Sequence, residues 1–89
     1  MVDKWLLAGK VNSSSYRSNV LIKLQESPKT PTQLSKLLNI KMSHISRALK
    51  ELSDLGLIKS LTPELRKSKM YAITPLGNQV IKLLENYKS

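Results

Sequence analysis

The sequence predicts one mostly helical domain with a small β-hairpin, in the order helix, helix, helix, hairpin, helix. Three observations lead to this class. Leu, Ile and Val supply 26 of the 89 residues, enough for a packed aliphatic core without any Phe. Apolar residues recur at helical spacing behind recognisable caps, and two short β-capable runs flank a polar loop. A chain of this length has room for a single core.

The first helix is predicted over residues 15–26. Serines at 13–15 offer N-cap hydroxyls, and Ser27-Pro28 ends the helix. Its apolar face is formed by Tyr16, Val20, Leu21 and Leu24. Residues 1–14 form an extension that begins with apolar residues, but Gly9 and the serines interrupt the pattern. The sequence alone therefore leaves open whether that extension is helical.

Two further segments are predicted to form helices joined by a tight turn. Residues 30–33 (Thr-Pro-Thr-Gln) have the form of a capping box with proline at the first helical position. This helix ends near Asn39, which tolerates a left-handed backbone. The next helix covers about 42–55, and Gly56 lies where a C-cap glycine is expected.

The helix over 42–55 is amphipathic, with an apolar face and a basic polar face. The apolar face consists of Ile45, Ala48, Leu49, Leu52 and Leu55. The polar face carries Ser43, Ser46, Arg47 and Lys50. Such a division predicts that one side packs in the core while the other meets an anionic partner.

The hairpin and a last helix complete the predicted fold. Runs at 57–61 and 70–73 are predicted strands, separated by a polar, basic loop over about 62–69. Thr74-Pro75 then starts a C-terminal helix within 75–89. Gly77 in the first turn of this helix lowers helix stability by about 1 kcal/mol relative to Ala. Close packing at this position would explain the presence of a glycine. The division is thus extension 1–14, core 15–74 and final helix 75–89.

A net charge of +9 indicates a polyanionic partner. Residues 30–50 contain four basic residues and no acidic one, and the loop adds Arg66, Lys67 and Lys69. The absence of Cys excludes disulfides and cysteine-ligated zinc, and no Gly-rich phosphate loop or catalytic constellation is recognisable. No enzyme activity, metal, cofactor or small-molecule ligand is predicted. No apolar run approaches a membrane span, so a cytoplasmic, nucleoid-associated location is expected.

Four segments in the right order resemble known motifs: LSKLLNI at 34–40, ISRALKEL at 45–52, LGLI at 55–58 and YAITPLG at 71–77. With them, residues 15–81 resemble the archaeal and bacterial winged helix-turn-helix transcriptional regulators of the MarR, ArsR and PadR kind. The resemblance implies duplex-DNA binding, a recognition helix at about 42–55 and a homodimer. Two positions depart from the family pattern, because Lys41 and His44 stand where the family usually has Ser or Thr.

The major groove, about 12 Å wide, admits one helix, whose N-terminal half reaches the base edges. This geometry selects the base-reading candidates Met42, Ser43, Ser46 and Arg47. Arg47 is the first choice, since a guanidinium can bond guanine through two hydrogen bonds. The alternative for these side chains is a merely solvated helix face.

Phosphate contacts are expected from the surrounding residues. On the two helices of the helix-turn-helix, the candidates are Thr30, Thr32, Gln33, Lys36, Lys41, His44 and Lys50. The wing contributes Arg66, Lys67 and Lys69 toward adjacent backbone or minor groove. Tyr16 and Arg17 on the first predicted helix are further candidates.

The dimer implied by the resemblance needs an apolar surface outside the core. The candidates are Trp5, Leu6, Leu76, Val80, Leu83, Leu84 and Tyr87. The alternative is that the last helix packs on the first predicted helix within one chain.

Three other functions are compatible with the same sequence. Some RNA-binding and ribosomal proteins are also small, basic winged helices, although double-stranded RNA cannot admit a helix into its deep, narrow major groove. A non-specific architectural DNA-binding protein would show strong salt dependence without a consensus site. A protein-interaction winged helix would tolerate removal of the charges.

Overall fold

The computed structural model describes residues 3–62 and 69–88, with side chains described as far as 86. Its elements are α1 (Lys4–Asn12), α2 (Ser15–Glu26), α3 (Pro31–Leu38), α4 (Met42–Asp54), β1 (Ile58–Ser60), β2 (Tyr71–Ile73) and α5 (Pro75–Lys88). The predicted order of helices and hairpin is confirmed, with one helix added at the N-terminus. Within the described ranges no helix is long and apolar enough to cross a membrane.

The added helix, α1, forms despite the glycine in its middle. Oδ1 of Asp3 accepts hydrogen bonds from the amides of Trp5 (3.0 Å) and Leu6 (3.2 Å), which caps the helix. Ala8 and Val11 are fully buried and belong to the main core, where α1 packs on α5 and α2. Burial of this face offsets the helix-propensity cost of Gly9. Because that burial depends on contacts with α2 and α5, local sequence signals alone do not predict α1.

The end of α2 is held by a buried lysine. Nζ of Lys29 donates to the carbonyl oxygens of Lys23 (2.9 Å) and Ser27 (3.2 Å) and to Oγ of Ser27 (2.9 Å). The Lys23 carbonyl belongs to the last turn of α2, where helical partners run out. The backbone of Lys29 also pairs with Tyr71 through two hydrogen bonds of 3.0 and 2.9 Å. This pairing joins the end of α2 to the sheet, and sequence analysis missed it.

The predicted capping box at the start of α3 and the predicted turn between α3 and α4 are both confirmed. Thr30 and Gln33 form the reciprocal capping box at 3.2 and 2.9 Å. Asn39 has φ 54° and ψ 48°, the left-handed conformation that ends α3. Oγ of Ser35 donates to the carbonyl oxygen of Ile40 at 2.6 Å, and the Ile40 amide donates to the Ser35 carbonyl at 3.1 Å. These bonds define where α4 begins relative to α3.

The hairpin pairs β1 with β2 in an antiparallel register, with Ile58 opposite Ile73 and Ser60 opposite Tyr71. One more backbone bond, from Leu61 to the Met70 carbonyl at 2.7 Å, extends it toward the wing. Of the predicted wing cations, Lys69 is half-buried, whereas Arg66 and Lys67 lie outside the described residues.

A compact junction joins the sheet to α5. Oγ1 of Thr74 donates to the Gly56 carbonyl (2.7 Å) and accepts from the Gly77 amide (3.1 Å), so it caps the helix as predicted. A Cβ on Gly77 would stand 2.6 Å from Cγ1 of Ile73 and closer still to the carbonyl oxygen of Leu57. The close packing expected at Gly77 is confirmed.

The structure corrects part of the predicted dimer surface. Val80 and Leu84 are 0% and 3% exposed, because α5 packs them into the core of the same chain. They present no surface to a second copy, and Leu76 and Leu83 are only half-exposed beside that core. Trp5 and Leu6 are 54% and 59% exposed. The side chain of Tyr87 lies outside the described residues.

Gly77→Ala should lower the free energy of unfolding by about 1–3 kcal/mol, because the added methyl overpacks the junction. Helix propensity alone would predict the opposite sign, a gain in stability of about 1 kcal/mol from alanine in place of glycine. Urea unfolding followed by circular dichroism measures the change. Gln79→Ala, at an exposed position of the same helix, should stay within about 0.5 kcal/mol of the wild type. A variant at position 77 as stable as the wild type would contradict the close packing.

Candidate nucleic-acid interface

The outer face of α4 is a continuous exposed surface. Of the predicted inner residues, Ile45, Ala48, Leu49 and Leu52 are buried, whereas Leu55, at the C-cap, is half-buried against the core. The opposite side exposes Met42, Ser43, Ser46, Arg47 and Lys50. None of these five side chains makes a hydrogen bond or ion pair with another described residue. Their polar groups are therefore available for an external partner.

The N-terminus of α4 has no side-chain cap. Lys41 occupies the N-cap with φ −60° and ψ 145° but makes no capping hydrogen bond. The amides of His44 and Ile45 both donate to the Lys41 carbonyl, each at 3.0 Å. The preceding amides of Met42 and Ser43 have no acceptor among the described residues. A lysine ammonium beside unfilled donors at the positive end of the helix dipole favours an anion.

Few backbone amides in the first turn of α3 are without an acceptor among the described residues. Pro31 has no amide hydrogen, the Gln33 amide is used by Thr30, and the Leu34 amide donates to the Thr30 carbonyl at 3.0 Å. Among these residues, only Thr32 has a backbone amide without an acceptor among the described residues. Any contribution of α3 to anion binding thus depends mainly on the exposed side chains of Thr32, Gln33 and Lys36.

A ring stack and an ion pair are among the contacts that connect α2 to α4, and sequence analysis identified neither. The rings of Tyr16 and His44 stack with centroids 4.6 Å apart and an angle of 17°. The guanidinium of Arg17 bonds Oε2 of Glu51 at 2.9 Å and Oγ of Ser13 at 2.8 Å. Arg17 is thereby committed within the chain, so of the two α2 candidates for backbone contact only Tyr16 remains available. Both contacts join residues far apart in sequence, so no local pattern signals them.

The charges on this side of the molecule are nearly all positive. Lys36, Lys41, Arg47 and Lys50 are exposed on α3 and α4. The first acidic residue that follows is Glu51, whose charge is paired with Arg17. The next, Asp54, is exposed at the C-terminal end of α4, far from Met42 along the helix. The positive charges are therefore concentrated on α3 and on α4 as far as Lys50.

A cleft lies where α4 approaches the sheet. It has a volume of about 270 Å³ and is lined by Ser46 and Lys50 of α4 and by Tyr71 of β2. The sequence places Tyr71 in a strand and in the YAITPLG motif but does not indicate its proximity to α4, because that proximity depends on the tertiary fold. The described residues include no group of three or more side chains suited to binding a metal ion.

Comparison with family models identifies the helix-turn-helix region. A model described as a bacterial regulatory protein of the arsR family matches residues 14–60. The matched segment runs from the N-cap of α2 to the end of β1 and so contains the whole helix-turn-helix. No curated protein sequence matches the chain.

Solved structures share the winged-helix fold. A MarR family transcription regulator is 31% identical with a TM-score of 0.77, covering 96% of this chain and 56% of that one. The regulator BldR from Sulfolobus solfataricus is 24% identical with a TM-score of 0.73, covering 82% of this chain and 53% of its own. TubR from Bacillus thuringiensis serovar israelensis, bound to 24 bp of tubC, is 13% identical with a TM-score of 0.82, covering 98% and 97%.

The chain spans only 50–60% of the length of the first four solved structures it matches. Those similarities therefore concern the winged helix and its flanking helices. They confirm the predicted mainly helical fold with a β-hairpin wing.

Lys41→Ser should raise the free energy of unfolding by about 1 kcal/mol, because a serine hydroxyl at the N-cap can accept an amide of the first turn of α4. Lys41→Ala removes the same charge without adding a cap and serves as the matched control. Thermal and urea unfolding of the two variants isolate the capping contribution. Equal stability of both variants would mean that the first turn of α4 does not respond to a cap.

Proposed function

The chain belongs to the ArsR family of bacterial regulatory proteins, and we propose that it is a transcriptional regulator that inserts α4 into the major groove of duplex DNA. The observation that carries this proposal is the exposed face of α4 over residues 42–50, which has no acidic residue and on which five side chains have no partner among the described residues. TubR, which shares the fold, is described bound to a 24-bp DNA. A location at the nucleoid would follow from this activity.

The dimensions of α4 suit the groove. Its 13 residues span about 20 Å, and a groove about 12 Å wide admits a single helix. The residues of its N-terminal half are the proposed base readers: Met42, Ser43, Ser46 and Arg47. Arg47 can bond the O6 and N7 atoms of a guanine, the serines can bond base edges, and Met42 can contact a thymine methyl.

Contacts with the phosphates on both sides of this groove are assigned to the basic and polar residues around the proposed base readers. Lys41 and the uncapped amides of α4 lie at one end of the reading helix, and Lys50 lies farther along it. On α3 the contributors are Thr32, Gln33 and Lys36, with Thr30 held in its capping box. The wing adds Lys69, and the same role is assigned to Arg66 and Lys67. Charge neutralisation by these residues supplies affinity rather than sequence preference.

We assign homodimer formation chiefly to the exposed apolar residues of α1. Trp5 and Leu6 remain 54% and 59% exposed while the opposite side of α1 is buried against α5 and α2. A symmetric pair would present two copies of α4 to half-sites about one helical turn apart. The half-buried Leu76 and Leu83 of α5 extend this proposed surface.

Selection of bound sequences from a random duplex library, at two salt concentrations, tests the proposal. The expected result is a two-fold symmetric site with half-site centres about 10 bp apart, bound more weakly at higher salt. A steep salt dependence with no consensus would identify an architectural binder instead. Tighter binding to double-stranded RNA than to duplex DNA would overturn the proposal, because α4 cannot enter the RNA major groove.

Arg47→Ala should reduce discrimination at one base pair of each half-site by about 1–3 kcal/mol. Lys36→Ala should instead weaken all sequences alike and lower the salt slope by about 0.9 for each phosphate that is no longer neutralised. Binding isotherms on the selected duplex and on single-base variants separate the two effects. Lys82→Ala, an equal charge change at an exposed position of α5, is the control and should alter neither quantity. Unchanged discrimination with Arg47→Ala would remove Arg47 from the base-reading set.

Lys41→Ser and Lys41→Ala should both weaken DNA binding and lower the salt slope by about 0.9 for each chain bound. The serine variant combines this weaker binding with the gain in stability expected from its cap, so stability and affinity move in opposite directions. Filter binding or fluorescence anisotropy at four salt concentrations gives the slope. An unchanged slope in both variants would place Lys41 away from the phosphates.

A further inference from the structure

A cleft of about 280 Å³ separates the first turn of α2 from the N-terminal half of α4. Its α2 wall contains Tyr16 and Arg17, and its α4 wall contains His44, Arg47 and Glu51. The Tyr16–His44 stack joins the two walls, with ring centroids 4.6 Å apart. The base-reading role proposed above uses the outer rim of this cleft, at Arg47, but leaves its aromatic wall without a function.

The charge in the cleft is positive even though a carboxylate lines it. Glu51 is bonded to the guanidinium of Arg17 at 2.9 Å, so these two charges offset each other. The charge that remains is that of Arg47, which is exposed and makes no ion pair with a described residue. An anion entering the cleft would therefore meet Arg47 without an opposing unpaired acid.

Three side chains of the cleft have hydrogen-bond donors that no described residue accepts. They are the hydroxyl of Tyr16, the ring N–H of His44 and the guanidinium of Arg47. Nε of Arg17 is also buried and has no partner among the described residues. A set of donors with its one carboxylate already paired fits an oxygen-rich anion better than a neutral or cationic ligand.

Stacking gives Tyr16 a defined position. Tyr16 is 40% exposed, so its hydroxyl can reach solvent while its ring stays against His44. An exposed tyrosine without such a contact would lose more rotamer freedom on binding a ligand. The stack therefore prepares both donors for an acceptor at the mouth of the cleft.

We propose that Tyr16 and His44 together bind one backbone phosphate of the DNA, beside the groove that α4 enters. This inference rests on the function proposed above and joins two of the separate phosphate-contact candidates named from the sequence, Tyr16 and His44, into one site. The two side chains would donate to the non-bridging oxygens, while Arg47 contributes positive potential at the rim. Because phosphate contacts position a protein on the duplex without reading its sequence, this contact would support α4 in the groove on any duplex.

Tyr16→Phe tests the donor while keeping the ring and its stack. The expected result is about a tenfold loss of affinity on the selected duplex and on unrelated duplexes alike, from one charge-assisted hydrogen bond. The salt slope should stay unchanged, because no cation is removed. Ser18→Ala is the matched control, since the Ser18 hydroxyl on the same helix already donates to the Ser15 carbonyl and should not affect binding. Equal thermal unfolding of both variants and the wild type verifies that the fold is intact.

A second measurement locates the phosphate. Single methylphosphonates, which remove one phosphate charge, are placed in turn along each strand of the selected duplex. The proposal expects one position per half-site whose substitution weakens the wild type by several-fold but has little further effect on Tyr16→Phe. Equal penalties for wild type and variant at every position would overturn the Tyr16 contact.

The same experiment separates this proposal from the function on which it rests. If Tyr16→Phe binds like the wild type while Arg47→Ala loses discrimination, the phosphate contact is wrong and the DNA-binding function stands. If the wild type selects no duplex and binds none, the function itself fails and the phosphate proposal fails with it.

Discussion

The burial of one face of α4 is the constraint on which the rest of the candidate interface depends. Ile45 and Leu52 are fully buried, and because side chains three or four residues apart share a face, their burial fixes the rotation of the whole helix. With that rotation, Ser43, Ser46 and Arg47 lie on the opposite side of the helix and are exposed to solvent. The same apolar contacts that stabilise the domain therefore decide which polar residues are offered to a partner.

The position of α4 depends on contacts with α2 and the sheet as well as on the core. The Tyr16–His44 stack holds its N-terminal turn, and the Arg17–Glu51 pair holds its C-terminal half. The Arg17–Glu51 pair is partly exposed, and such ion pairs contribute little free energy of stabilisation. Its main effect is therefore to orient α4 relative to α2. At the other end of α2, buried Lys29 connects the helix to β2. Both α4 and the base of the wing are thereby attached to α2.

The surface assigned to DNA carries features that do not serve the stability of the isolated chain. Lys41 leaves α4 uncapped, where a serine would contribute about 1 kcal/mol. The cations between residues 30 and 50 have no acid among them within that segment. Local rules of sequence and structure are most often broken at functional sites, and these departures fall on the proposed interface. In contrast, Thr30 and Thr74 follow the capping rules closely where the chain only has to fold.

The sequence by itself determined α2 to α5, the hairpin and the split of α4 into two faces, because caps, periodicity and glycine positions are local signals. It also located the close packing at Gly77, since a glycine in a first turn needs a reason. Only the tertiary structure decided that α1 is a core helix, that Val80 and Leu84 are buried within the chain, and that Tyr16 meets His44. Each of these depends on residues distant in sequence, whose proximity is set by how the helices pack and not by any local pattern.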